Sequence, residues 1–484
     1  MTLTGDHWIC ADCVEEPYLS DEIARLGTPA RCDLCGETGP AIMVEDLADR
    51  IEVAFETHYL RTSDQPSDWE HHLLGDKESG YDWWRHGEPV VHALAGAAQI
   101  PDEAAEAVQA ILEKRHGDRH KAEVGEETEF SSDSHYEEAE VDSWEWKFSW
   151  DHFERDLKTK ARFFSHAAAA TLKGLFEDLD GLAAGNVQPF IVAAGPGTDL
   201  ERLHRARVFQ SEADLKAALG RPDEQLGPPP SRLATAGRMN AQGIAVFYGA
   251  TSPDVALSEV RPPVGSWVAI APFAIRRRLR LLDLGALSEL RTSGSIFDPG
   301  FAARLERIGF LRSLSARMAR PILPRDEALD YLPTQAVAEF LAARMEPRLD
   351  GIVYPSPQTA TEGWNVVLFH HAARVEPLDL PEGTIVDVRT SSMTEDGREP
   401  DYFVWVTTPP AGPNEEPDPD PKTRWPASLT AMPDSDWDGF SDDRDPALKV
   451  DVEAIAVHHV GAVRYTTDEF PVRWRVHEAR EPEF

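Results

Sequence analysis

The four cysteines of the chain, Cys10, Cys13, Cys32 and Cys35, fall within its first 35 residues in the pattern C-x2-C-x18-C-x2-C. No other local feature constrains the fold as tightly. Each C-x2-C pair can form a knuckle that aims two thiolates at one ion, and two knuckles complete the tetrahedral sulfur shell that suits Zn²⁺. Gly36 follows the second pair and turns easily. A fully sulfur-coordinated ion leaves no position for water or substrate, so residues 1–40 read as a structural zinc knuckle with four cysteine ligands. The opening MTLTGDHW lacks the basic and apolar segments of a secretory signal. The expected setting is therefore cytoplasmic and reducing, where clustered cysteines serve metal ligation and not disulfides.

A chain of 484 residues with 42% hydrophobic content holds material for two or three folded units. Its net charge of −37 repels phosphate backbones and anionic lipid, which argues against nucleic acid and membrane as partners. No apolar run reaches the roughly 18 to 20 residues of a membrane helix.

Leu47, Ile51, Phe55 and Tyr59 recur at spacings of four, one face of an amphipathic helix. Residues 101–115 start with Pro and acids and end in bases, as a helix dipole prefers. Across 150–182 a third stripe collects Phe153, Leu157, Phe164, Ala168, Leu172, Leu175 and Leu179. Residues 41–185 thus predict a helical domain, with 123–145, ten acids and no Lys or Arg, as a solvated loop or flexible insertion. From 189 to 390 short β-like runs (189–194, 244–248, 266–273, 279–284, 351–354, 365–370) alternate with helical stretches at 253–260, 300–310 and 334–346. The fold class expected is α+β. Residues 409–446 hold nine prolines and ten acids, so 409–449 reads as a linker or surface loop, with 450–484 returning strands to the preceding domain.

The second half lacks a P-loop, H-E-x-x-H and G-x-S-x-G. It carries instead a set of unusual polar placements. These are Arg205 in LHRARVF, Arg238 in GRMNAQG, Tyr248 in IAVFY, Glu259 in SPDVALSEVRPP and Ser356 in GIVYPS. Ser252 reads as an N-cap with Pro253 at the first helical position, and Pro262 stops the helix. Glu259 then shares a helix face with Val255 and Ala256, where a carboxylate is costly to bury without a partner or a task. Taken singly, Glu259 also reads as a rim glutamate paired with Arg261 or water, Arg205 as a surface arginine, Tyr248 as a core aromatic with a wet tip and Ser356 as a turn residue before Pro357.

The succession LHRAR, GRMN-x-x-GI-x-VFYGA-x-S-x-x-x-AL-x-EVRP, DGIVYPS and NVVLF, over roughly residues 198–375, resembles the RES domain. The preceding helical region, including WDHFERDLKTKARFF at 150–164, is similar to the HEPN-type N-terminal domain of longer family members. The resemblance implies a mixed α/β fold akin to ADP-ribosyltransferases. It also implies breakdown of NAD⁺ at the nicotinamide–ribose bond, with inorganic phosphate or water as acceptor. Arg205, Arg238, Tyr248, Glu259 and Ser356 take the family's functional positions, with Arg205, Arg238 and Tyr248 binding NAD⁺; Arg207 competes with Arg205 for the first arginine position. A toxin or defence role follows from the same resemblance, with an antitoxin or regulatory protein as partner, and homo-oligomerisation stays open. Two other readings remain: transfer of ADP-ribose to a macromolecule, and a non-catalytic nucleotide-binding module.

Two further motifs are weaker. Asp434, Asp436, Asp438, Gly439, Asp442 and Asp445 stand at calcium-loop positions, but Pro433 and Pro446 exclude ordinary flanking helices. Arg162 with His166, and Arg115 with His120, approach the Arg/His spacing of HEPN ribonucleases, against a strongly acidic background.

Overall fold

The computed structural model describes residues 6–75, 80–118, 126–139, 143–184, 189–320, 322–323, 325–356, 363–395, 397–409, 442–464 and 467–474. The chain divides into two compact units, residues 1–190 with 286–318, and residues 191–285 with 319–484. The calcium-loop positions Asp434, Asp436, Asp438 and Gly439, and also His120, lie outside the described residues.

In the first unit, strands β1 (Trp8–Cys10), β2 (Thr28–Arg31) and β3 (Thr38–Met43) form a sheet in the order β1-β3-β2. The helix Pro17–Leu26 packs beside them, started by Glu16, whose carboxylate accepts from Leu19 N at 2.8 Å, and by Pro17 at the first position. The knuckle region shares its core with the helices that follow: Ile9, Val14 and Leu19 are buried in one cluster with Leu47, Ile51 and Phe55 of Val44–His58 and with Val108 and Leu112 of Asp102–His116. Apolar residues at spacings of four produce that packing, as the stripe predicts.

The acidic segment is not simply a solvated loop. Its described part contains β6 (His135–Glu138), which pairs with β4 (Tyr59–Arg61) on one side and β5 (Glu88–Pro89) on the other. Phe130 and Tyr136 are buried against Phe55 and anchor it. The third stripe breaks as well. The helix Trp144–Thr159 ends, and a new one, His166–Phe176, starts at Ser165, whose hydroxyl accepts from Ala168 N. Phe164 sits in the break and is 92% exposed, whereas Phe153, Leu157 and Leu172 are buried. A single helical period assumes continuous phase, and a capping serine resets it. Residues 286–318 complete this core: Phe310 of the helix Phe301–Ala319 packs on Trp150.

The second unit is built on one curled, mixed sheet. Its strands are β7 (Ile191–Ala194), β8 (Arg202–Phe209), β9 (Phe247–Ala250), β10 (Trp267–Ile275), β11 (Leu279–Asp283), β12 (Gly351–Pro355) and β13 (Trp364–Leu368). A separate hairpin, β14 (Ile385–Thr394) and β15 (Gly397–Thr407), precedes β16 (Leu448–Val450) and β17 (Ala456–His459), which both pair with β10. The order is β16-β10-β8-β9-β13-β12-β11-β7, and among the described strand pairs of this sheet only β11 and β12 run parallel. Pro272, without an N–H, falls in the gap of β10 between the stretches paired to β17 and to β16, where a missing donor costs nothing.

Between β8 and β9 the ladder consists of a single pair, His204 with Ala250. The sheet therefore opens along this line, and the short helix Pro253–Glu259 packs against both strands beside the opening.

Candidate functional site

The sulfur cluster is assembled by the first three strands. Asp33 N donates to Trp8 O at 2.9 Å, and Trp8 N donates to the Asp33 carboxylate at 2.7 Å, so the two knuckles lock to each other. Gly36, at φ +80°, completes the second turn and donates to Cys32 O. All four sulfurs lie within 4.8 Å of one another, with Cys10 to Cys35 at 3.6 Å and Cys13 to Cys32 at 3.7 Å. A tetrahedron with metal–sulfur bonds of about 2.3 Å has edges of about 3.8 Å, whereas a disulfide needs about 2.05 Å. The cluster is sized to hold a metal ion and is not disulfide-bonded. Burial and the neighbouring thiols push Cys10 and Cys13 upward; at Cys32 the effect of burial is outweighed by backbone groups of Cys35, Cys10 and Leu34, which bring it to about 7. Four crowded thiols ionise together only around a cation.

In the second unit the opening between β8 and β9 forms a cavity of about 220 Å³. His204, Arg205 and Ala206 of β8 form one wall and Tyr248, Gly249 and Ala250 of β9 another. Ala256, Glu259 and Val260 at the end of the short helix, Tyr354 of β12 and Asn365 of β13 complete the lining. Gly249 is required here, since a Cβ would come within 2.6 Å of the Phe247 ring. A larger cavity of about 500 Å³ lies elsewhere, on the far side of Met239 and Asn240, and holds none of the five candidate residues.

Arg205 donates to Tyr248 O at 3.0 Å and lies 5.3 Å from the centre of the Phe247 ring. Burial, then the charge of Arg207, pulls its guanidinium down to about 10, still cationic at neutral pH. Arg207 does not line the cavity; it donates to the carbonyl of Gln225 and lies over Phe209. The two arginines that compete in the sequence are thus given different neighbours.

Tyr248 projects its ring to the cavity but ties its hydroxyl behind it. The hydroxyl accepts from Met239 N at 3.0 Å and donates to Asn240 Oδ1 at 2.9 Å, while Asn240 Nδ2 donates to the carbonyls of Thr235, Ala241 and Ile244. Gly237 makes this turn feasible, because a Cβ would stand 2.6 Å from Asn240 Oδ1 and 2.7 Å from the Tyr248 hydroxyl. Burial pushes the Tyr248 phenol up to about 12, so it is a neutral group. Arg238 is not among the lining residues. It donates to Arg320 O at 2.7 Å and lies over the Tyr331 ring, with its charge felt at Tyr248 and Tyr354.

Glu259 arrives from the short helix, capped by Ser252 with Pro253 at the first position. Its Oε1 accepts two hydrogen bonds of 2.7 Å, from Ser356 Oγ and from Asn365 Nδ2. The candidate serine therefore meets the candidate glutamate directly. Arg205, Tyr248 and Glu259 line one cavity, Ser356 stands on Glu259, and Arg238 stands behind Tyr248. Sequence reasoning passed over Asn365 and Tyr354. Both lie within blocks it had singled out, NVVLF and DGIVYPS, and a buried Asn within an otherwise apolar strand is the signal that could have found the first. Burial pushes the Tyr354 phenol upward, and its hydroxyl takes no hydrogen bond from the described residues.

No curated protein matches the chain. Residues 202–407, which carry Arg205, Arg238, Tyr248, Glu259, Ser356 and Asn365, match the family model of the RES domain, a match consistent with an NAD⁺-related enzyme.

Proposed function

We propose that the second unit cleaves the nicotinamide–ribose N-glycosidic bond of NAD⁺. The acceptor is inorganic phosphate, giving ADP-ribose-1″-phosphate, or water, giving ADP-ribose. The observation that carries this reading is a carboxylate, Glu259, held at one oxygen by two donors in a cavity that also presents a buried cation and two neutral tyrosines. Nicotinamide leaves with the electron pair of the C–N bond, and because it departs from a cationic state it needs no general acid. The barrier lies in the positive charge that develops on the ribose, as in other glycosyl transfers. The second oxygen of Glu259 stabilises that charge and holds a ribose hydroxyl. Arg205 provides forked donors for the pyrophosphate, Arg238 adds positive charge from behind Tyr248, and the two locally offset the acidity of the chain. The Tyr248 ring orients the nicotinamide. Ser356 acts through Glu259. The acceptor oxygen bonds to the ribose carbon and its proton passes to solvent.

In the first unit, Cys10, Cys13, Cys32 and Cys35 would hold Zn²⁺, which supplies a structural crosslink and takes no part in turnover. A fold of the ADP-ribosyltransferase type, a HEPN-type helical region and a toxin or defence role restrained by an antitoxin belong to the same proposal and rest on the resemblance of the sequence.

The test is to incubate the purified protein with NAD⁺, with and without inorganic phosphate, and to follow nicotinamide and the ADP-ribose product by mass. Phosphate-dependent ADP-ribose-1″-phosphate identifies a phosphorylase, and phosphate-independent ADP-ribose a glycohydrolase. No nicotinamide release from folded, metal-loaded protein refutes the reading.

A further inference from the structure

Asn365 is 4% exposed and sits in β13 between Ala250 of β9 and Tyr354 of β12. Its neighbours on the strand, Val366, Val367 and Leu368, are apolar and buried, and a primary amide in such a strand is costly unless it is paired. Its partner is the carboxylate of Glu259, which arrives from a helix more than a hundred residues earlier in the chain. A glutamate has three side-chain torsions to fix. Two donors on the same oxygen, Asn365 Nδ2 from β13 and Ser356 Oγ from the end of β12, remove the freedom of the last one and leave Oε2 without a partner among the described residues.

We propose that Asn365 is a positioning residue that holds the Glu259 carboxylate with Oε2 and its negative charge turned to the cavity. This rests on the proposed role of Glu259 in stabilising the ribose cation. The chemical logic lies in the donor being neutral. An Arg or Lys at 365 would give a stronger bond but would cancel the charge that the reaction uses, whereas an amide orients the carboxylate and leaves that charge available. The other titratable groups lining the cavity with the carboxylate are His204 and Arg205 of β8, Tyr248 of β9 and Tyr354 of β12; beyond them Arg238 and Tyr331 act on Tyr354, and Arg261, two residues on from Glu259, acts on Tyr331. Burial and Arg202 pull His204 downward, disfavouring its charged form, and both lining tyrosines are neutral at neutral pH.

The experiment compares full-length wild type with Asn365→Ala, Asn365→Asp and the exchange Glu259→Gln/Asn365→Asp, by nicotinamide release and by melting temperature at several pH values. Asn365→Ala is expected to lower kcat about a hundredfold with a smaller change in KM. Asn365→Asp sets a second carboxylate against the first, and two such groups share one proton, so a carboxyl pKa in the folded state rises. The melting deficit against wild type is then large at about pH 8 and shrinks toward about pH 5, because the penalty exists above the raised pKa and vanishes below it. The exchange restores the hydrogen bond with donor and acceptor swapped, and is expected to recover melting temperature but not kcat. Wild-type kcat in Asn365→Ala, a deficit in Asn365→Asp that does not change with pH, or turnover restored by the exchange would each overturn the proposal. If wild type itself releases no nicotinamide, the functional reading fails by itself; the pH-dependent deficit and its rescue are still expected, and their absence removes the Asn365–Glu259 pair.

Discussion

Tyr248 can be divided into ring and hydroxyl by one substitution, Tyr248→Phe. The ring stays where it is, but two buried groups lose their partner. Met239, 2% exposed, keeps no acceptor for its N–H, and Asn240, 4% exposed, loses the donor to Oδ1 while its amide remains bound to three carbonyls. The space freed is one oxygen atom, too small to admit a water. Each orphaned group costs about 1–3 kcal/mol, so the pair amounts to about 2–6 kcal/mol. For a unit of this size that corresponds to a fall in melting temperature of at least about 4 °C. Tyr354→Phe is the control, because its hydroxyl takes no hydrogen bond from the described residues and its removal should shift melting by less than about 2 °C. Thermal unfolding followed by circular dichroism or calorimetry reads both. If Tyr248→Phe melts with wild type, or if Tyr354→Phe falls as far, the account of the Met239–Tyr248–Asn240 network is wrong.

Other perturbations reach different parts of the molecule. Glu259→Gln preserves an acceptor for Ser356 and Asn365 but removes the charge, so nicotinamide release should fall by roughly 10²–10³ while the protein stays folded; turnover within about tenfold of wild type would remove Glu259 from the chemistry. Gly237→Ala drives a methyl into Asn240 Oδ1 and the Tyr248 hydroxyl and should cost about 1–3 kcal/mol, read in denaturant titrations; unchanged stability would mean that the turn yields freely. Metal analysis of the purified protein should find one bound ion per chain, and Cys10→Ser should lose both the ion and several kcal/mol of first-unit stability; full metal content in that variant would rule Cys10 out as a ligand. At Asp350, burial is outweighed by the His371 ring 3.4 Å away, a hydrogen bond from the Arg280 N–H and the ion pair with Arg277, which together hold the carboxyl at about 2. A depressed carboxyl stabilises above its unfolded pKa of about 3.9 and loses that contribution as pH falls toward about 2, worth roughly 2 kcal/mol. Acid titration should show this loss in wild type and not in Asp350→Asn, and identical profiles would refute it.

Legibility in the sequence followed the range of the interaction. The Cys-x2-Cys pairs, the capped start of Pro253–Glu259 and the apolar spacing of Val44–His58 are local, and each was readable because neighbouring residues alone decide it. The helix break at Ser165 was also written locally, yet the periodicity around it ran on through Phe164 and concealed the change of phase. The acidic segment was misread because charge density masked Phe130 and Tyr136, whose burial depends on Phe55 far earlier in the chain.

By itself, then, the sequence determined the metal-binding spacing, the mixed helical and strand texture, and the polar residue types available to the second unit. Only the tertiary structure decided which of them meet. The opening of the sheet depends on β8 and β9 sharing one pair, His204 with Ala250, and a register between strands so far apart in the chain is not encoded in either strand alone. The same holds for Glu259, Ser356 and Asn365, spread over more than a hundred residues and joined at one oxygen atom. The separate surroundings of Arg205 and Arg207, two residues apart on one strand, likewise come from what packs around that strand: Tyr248 and Phe247 at the first, Gln225 and Phe209 at the second. Hydrogen bonds act over about 3 Å of space, whatever the separation along the chain, and so the chain order of these residues does not reveal their meeting.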